Sequence, residues 1–178
     1  MSALFLYDWG SPDAEVPLMG LTVLRDADAA IVIDDRAPGV VIATWFGEPT
    51  LELVDRYFDW HAVFVDGVRK ARGRFVLITD TFATARPSPS ARKRIAERTE
   101  ALGPDLQELT IGSYLVVENA LIRGVITALA WLHAPLAETV PLGSPALAIG
   151  AALRDLDAAG IPRPANLSPG TYNRPARP

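Results

Sequence analysis

Cysteine is absent from the 178 residues. Structural disulfides, thiol nucleophiles, iron–sulfur clusters and cysteine-bound zinc are excluded with it. Histidine is scarce: His61 and His133 are the only two. Neither falls in the H-x-x-x-H or H-E-x-x-H spacing that brings two imidazoles to one metal. Asp59, two residues from His61, lies on another face of a predicted helix, so no local histidine–carboxylate pair forms. Charge of one sign is not in large excess. The formal net charge of −4 favours solubility and gives no electrostatic reason to expect nucleic acid or an anionic membrane as partner. No apolar run approaches the roughly 20 residues of a spanning helix. The longest, residues 120–132, is interrupted by Arg123 and reads as a buried helix. Residues 1–8 have no basic flank and reach an acid at once, unlike a signal peptide. No internal repeat is visible. These absences fit a cytoplasmic protein without cofactor.

Catalytic signatures are missing as well. There is no Walker A lysine loop and no G-x-G-x-x-G. Gly112-Ser113-Tyr114 is not G-x-S-x-G, and it opens a predicted strand instead of a strand-to-helix elbow. The glycines Gly143 and Gly150 make no phosphate cradle, because Gly150 falls inside a predicted helix. Asp34 and Asp35, being adjacent, point to opposite sides of an extended chain. No catalytic residue or metal ligand is assigned, and the chain reads as non-enzymatic.

What is present is an ordered run of strands and helices. The length suits one domain with a substantial core, and 49% hydrophobic with 21% charged residues is ordinary for a folded chain. Abundant Ala, Arg and Pro fit a GC-rich bacterial source. Residues 30–34 form the first clear strand, Pro38-Gly39 a turn, and residues 40–46 a returning strand, an antiparallel hairpin. Thr50 caps a helix with Glu52 in its first turn, and Leu51, Val54, Phe58, Ala62 and Val65 mark its apolar face. Gly67 or Gly73 ends it. Residues 75–79 are continuously apolar, as in a strand covered on both faces. Ser88 caps the next helix, with Pro89 at its first position and Gly103-Pro104 as its stop. A strand at 111–117, a helix from Asn119 to about His133, a strand at 139–141 and a helix from Ser144-Pro145 to Gly160 complete the series. The expected fold is α/β: a mixed, mostly parallel five-stranded sheet with packed helices over residues 30–160. Residues 1–29 read as irregular, with a short strand at 4–7. The proline-rich residues 161–178 read as an extended or flexible tail.

This element order, the segment FVLITD at 75–80 followed by a helix with serines at its start, and the closing segment from Pro145 to Leu153 resemble the STAS or SpoIIAA-like group, named after a bacterial anti-sigma factor antagonist. The Asp-Ser pair that STAS domains carry before the corresponding helix has no counterpart in residues 80–87. The resemblance implies a SpoIIAA-like fold and a regulatory module that docks onto a protein partner, in some members under serine phosphorylation.

Candidate docking or phosphorylation residues follow. Asp80 and Thr81 lie at the carboxyl end of a central strand, the edge where open α/β sheets bind ligands. An aspartate there can equally tie down its own loop through backbone N–H groups. Ser88 and Ser90 open a helix, where a phosphate would meet free N–H groups and the helix dipole, with Arg92, Lys93 and Arg94 one turn on. Simple capping by Ser88 accounts for the same residues. Two basic runs, Arg69–Lys70–Arg72–Arg74 and Arg92–Lys93–Arg94–Arg98, are expected at opposite ends of the sheet and so do not merge into a nucleic-acid stripe. The helix at 120–132 is apolar nearly all round. Its surplus at Ile122, Ile126 and Trp131 is either a homodimer face or is covered by the N-terminal segment. The leading expectation is a cytoplasmic protein-interaction module. The alternative is a carrier of a small hydrophobic, lipid-like ligand, with Trp45, Trp60 and Trp131 around a cavity.

Overall fold

A computed structural model describes residues 20–119 and 139–178. The strand expected at 4–7, the helix expected from Asn119 to His133 and its Ile122, Ile126 and Trp131 face lie outside the described residues. Six strands form one mixed sheet: β1 (Leu21–Asp26), β2 (Ala29–Ala37), β3 (Val40–Gly47), β4 (Phe75–Thr84), β5 (Thr110–Val116) and β6 (Thr139–Leu142). Their order across the sheet is their order along the chain. β2 is antiparallel to β1 and to β3, and β3 through β6 are parallel. The sheet is therefore mixed and mostly parallel, but it has six strands where five were expected.

The additional strand is β1, inside the segment read as irregular. It is an edge strand whose residues alternate between exposed and half-buried, so it carries little hydrophobic signal. Its two-residue connection to β2 is also unmarked. Ala27 takes φ +40° there, where glycine or asparagine is the usual sign of a tight hairpin. The β2–β3 hairpin turns at Gly39, φ +79°, and a Cβ at that position would come within 3.1 Å of Leu156 Cδ2.

Three helices are described: α1 (Leu51–Lys70), α2 (Pro89–Leu109) and α3 (Pro145–Ala158). Thr50, Ser88 and Ser144 cap them through side-chain oxygens that accept from Leu53, Ala91 and Leu147 N–H. The α1 face differs from the expected one at its start: Leu51 is exposed, and Leu53 joins Val54, Phe58, His61 and Val65 in the interior. α2 does not stop at Gly103-Pro104. Leu102, Leu106 and Leu109 repeat along one face and pack on the core, and that burial carries the helix to Leu109.

The helices cover opposite faces of the sheet. On the first face α1 and α2 bury Ile31, Ile33, Val41, Ala43, Trp45 and Phe75. On the second, α3 sets Ala148, Ile149, Ala152, Leu153 and Leu156 against Val40, Ile42, Val76, Ile78 and Val116. Ile161 and Leu167, from the proline-rich segment, are buried in that same second core. This segment has no helix or strand, yet it is anchored on the domain.

Candidate functional site

β4 positions the site. Asp80 lies beside Thr44 of β3 and Val116 of β5 in register. Two steps along β3, from Thr44 to Phe46, match three along β4, from Asp80 to Ala83. Such a bulge re-aims the side chains within it, here Thr81 and Phe82. Asp80 is 0% exposed, and a carboxylate removed from water needs hydrogen bonds and an opposite charge. Phe82 N–H donates to its Oδ1 at 3.2 Å, the local tie expected of an aspartate in a turn.

The charge comes from 94 residues away. Arg174 donates from Nε to Asp80 Oδ2 at 2.7 Å and from Nη2 to Oδ1 at 3.3 Å. Its Nη1 donates to Glu118 Oε1, and its guanidinium carbon lies 4.0 Å from the Phe82 ring centroid. Two carboxylates at the edge and an aromatic ring on the face surround the cation. Burial works against the Arg174 charge, but its hydrogen bonds to Asp80 and Glu118, with their negative charges, outweigh it and raise the arginine above its ordinary pKa.

Residues 161–178 bring Arg174 there in steps. Ile161 N–H donates to Leu156 O at the end of α3. Asn166 Nδ2 donates to Arg36 O on β2 at 3.0 Å. A turn follows, in which Thr171 and Tyr172 N–H donate to Ser168 O. Tyr172 then packs against the second core. Burial, first among the causes, pushes its hydroxyl up to about 12. That hydroxyl lies toward Thr44, and among the described residues neither oxygen makes a hydrogen bond of ordinary geometry. Beyond Arg174, Arg177 donates to Asp28 O at the β1–β2 turn. A cleft of about 340 Å³ opens between this strap and β2, lined by Asp34, Arg36, Ile42, Asn166, Tyr172 and Asn173 among others. On its β2 wall Asp34 and Arg36 hold each other through two hydrogen bonds of 2.7 and 2.9 Å.

The residues singled out in the sequence do not form one site. Asp80 is turned into the second face, whereas Ser88 and Ser90 begin α2, which packs on the first. Thr81 Oγ1 donates to Val116 O at 2.9 Å. Ser88 caps α2, accepting from Ala91 N–H at 3.2 Å, and the exposed Ser90 hydroxyl lies 3.0 Å from the Ser88 hydroxyl. Of the basic residues that follow, Arg92 donates to Pro87 O, Lys93 pairs with Glu97, and Arg94 and Arg98 pair with Asp55 and Asp59 of α1. Phe82 is 43% exposed. Arg174, Glu118, Phe82 and Tyr172 were not read as site residues. The available signal was the apolar content of the proline-rich segment, namely Ile161, Leu167 and Tyr172.

His61 is 1% exposed within a ring cluster of Tyr57, Trp60, Phe64 and Phe75. Neither of its ring nitrogens has a hydrogen-bond partner among the described residues, and burial pushes the imidazole down to about 4. Trp45 packs edge-on against Tyr57 and Trp60 stacks on Phe64, so both are part of the first core. Among the described residues, no group of three or more His, Cys, Asp and Glu could hold a metal ion, and no helix is long and apolar enough to cross a membrane. No protein-family model and no curated protein matches the chain.

Proposed function

We propose that this chain is a non-enzymatic, cytoplasmic regulatory module of SpoIIAA-like type that works by docking onto a protein partner. The observation that carries the reading is the winding of β3–α1–β4–α2–β5, in which each strand is added beside the last with both helices on one face. That winding brings the connection from β4 to α2 to the surface, where Phe82, Arg86 and Ser90 are each exposed. Ser90 is the residue whose phosphorylation would alter this surface, because a phosphate there sits in the first turn of α2. Charged side chains elsewhere on the second face hold shape: Asp80 is engaged by Arg174, Asp34 by Arg36 and Asp155 by Tyr114.

Native mass spectrometry on protein purified gently from its host tests this reading. A protein partner is expected to co-elute with the wild type and to be lost from Arg86→Glu and Ser90→Asp. A partner retained by both variants would remove the docking surface from residues 81–90. Added mass from a small apolar molecule, with no protein partner, would make the chain a carrier.

A further inference from the structure

We infer that Asp80, Glu118 and Phe82 form a recognition site for an arginine side chain carried on an extended, proline-flanked peptide, and that residues 173–178 are its occupant in cis. The inference shares Phe82 with the surface proposed at 81–90 but does not rest on that reading, and it is tested on purified protein alone.

The walls of the site belong to the strands. Asp80 is held by its place in β4 and by the Phe82 N–H. The Phe82 ring is set edge-on against Phe46 of β3, 6.0 Å between centroids. Glu118 lies two residues beyond β5. The strap contributes only the cation. A buried carboxylate with a second carboxylate and a ring face around it matches a guanidinium specifically. The planar fork takes two oxygens at once while its face lies on the aromatic ring, and an ammonium group cannot do both.

The occupant is held in an exchangeable way. Among the described residues, 173–178 reach the sheet through the side chains of Arg174 and Arg177, with no strand ladder. Upstream, Ile161 and Leu167 stay buried in the second core, and the 168–172 turn containing Gly170 separates them from Arg174. The last residues can therefore leave the site while α3 and its core remain closed. An arginine arriving on another chain would meet the same two carboxylates and ring. Asn173-Arg174-Pro175 shows the form such a ligand takes, since proline after the arginine favours extended backbone.

The test uses a fluorescent peptide of residues 170–178 titrated into the full chain and read by anisotropy. Arg174→Ala empties the site and is expected to bind the peptide. The wild type should bind it on the order of tenfold more weakly, because its own arginine competes at millimolar effective concentration. The same peptide with citrulline or lysine at the Arg174 position should lose most of that binding, as should the full chain carrying Arg174→Ala with Asp80→Asn. If Arg174→Ala does not fold, Arg174→Lys keeps the charge, loses the fork and serves in its place. Equal binding of the arginine and citrulline peptides, equal binding by wild type and vacated variant, binding that survives Asp80→Asn, or no binding at all would each overturn the inference.

Discussion

The Tyr114 hydroxyl donates to Asp155 Oδ2 at 2.5 Å, joining β5 to α3 across 41 residues. Gly112 makes room for this bond. A Cβ there would come within 2.2 Å of the same Oδ2 and 3.2 Å of the Tyr114 ring. Tyr114→Phe removes a partly buried, charge-assisted bond and should cost about 2 kcal/mol. Gly112→Ala should cost at least as much, because it displaces the carboxylate. Since both substitutions break one bond, their effects should not add. Gly112→Ala made in the Tyr114→Phe background is expected to cost clearly less than in the wild type when both are measured by urea unfolding.

Removing Arg174 leaves the fully buried Asp80 without its fork. Arg174→Ala is expected to lower stability by about 3 kcal/mol, the scale seen when one member of a buried pair is lost. Replacing both members, with Asp80→Leu and Arg174→Met, should cost less than Arg174→Ala alone, since no uncompensated charge remains. Denaturant melts of the three proteins check this. A double variant less stable than the single one would show that the pair does more than neutralise itself.

His61 predicts a pH dependence with a definite sign. Its folded pKa of about 4 lies below the unfolded value of 6.5, so below pH 6.5 the unfolded chain takes up a proton that the folded chain refuses. This term is fully favourable above 6.5 and falls as pH drops towards 4, by about 1.4 kcal/mol per pH unit. His61→Leu removes both unpartnered nitrogens and should match or exceed the wild type at pH 7. The advantage of the variant should widen by about 2 kcal/mol or more between pH 6.5 and 4.5. Parallel stability curves for the two proteins would sink the prediction.

The ion pairs of Arg94 and Arg98 with Asp55 and Asp59 tie α1 to α2, but their side chains are about a third or more exposed. Asp55→Asn should cost less than about 1 kcal/mol. The difference should vanish near 1 M ionic strength, where the Debye length is about 3 Å. Thermal melts at low and high salt decide it. A loss that persists in high salt would mean that the pair is shielded from solvent.

Elements whose signal is local were legible. Thr50 and Ser88 cap the helices they were expected to cap, and Ser144 caps the helix it was read as opening, because capping is decided within three residues. The apolar run of β4 and the Pro38-Gly39 turn were equally plain. β1 was hidden because an edge strand needs no continuous apolar face and its turn uses Ala27 in place of glycine. The end of α2 was misjudged because burial of Leu106 and Leu109 outweighs the breaking tendency of Gly103 and Pro104. Of the Arg174 site, the chain order showed Asp80 at the edge of a central strand. Its cationic partner left no trace, since a contact made across 94 residues imposes no spacing on either neighbourhood.

Strand order that follows chain order has a consequence for synthesis. Each parallel strand from β4 through β6 can dock on a neighbour already made, so the sheet can grow as the nascent chain emerges. The strap is the exception. Asn166 returns to Arg36 and Arg177 to Asp28, contacts spanning 130 and 149 residues. On the ribosome α3 can cover its part of the second face before the strap is made, but Asp80 lacks its arginine until Arg174 emerges, and a chaperone or partner present at that moment would meet the site before the chain's own arginine does.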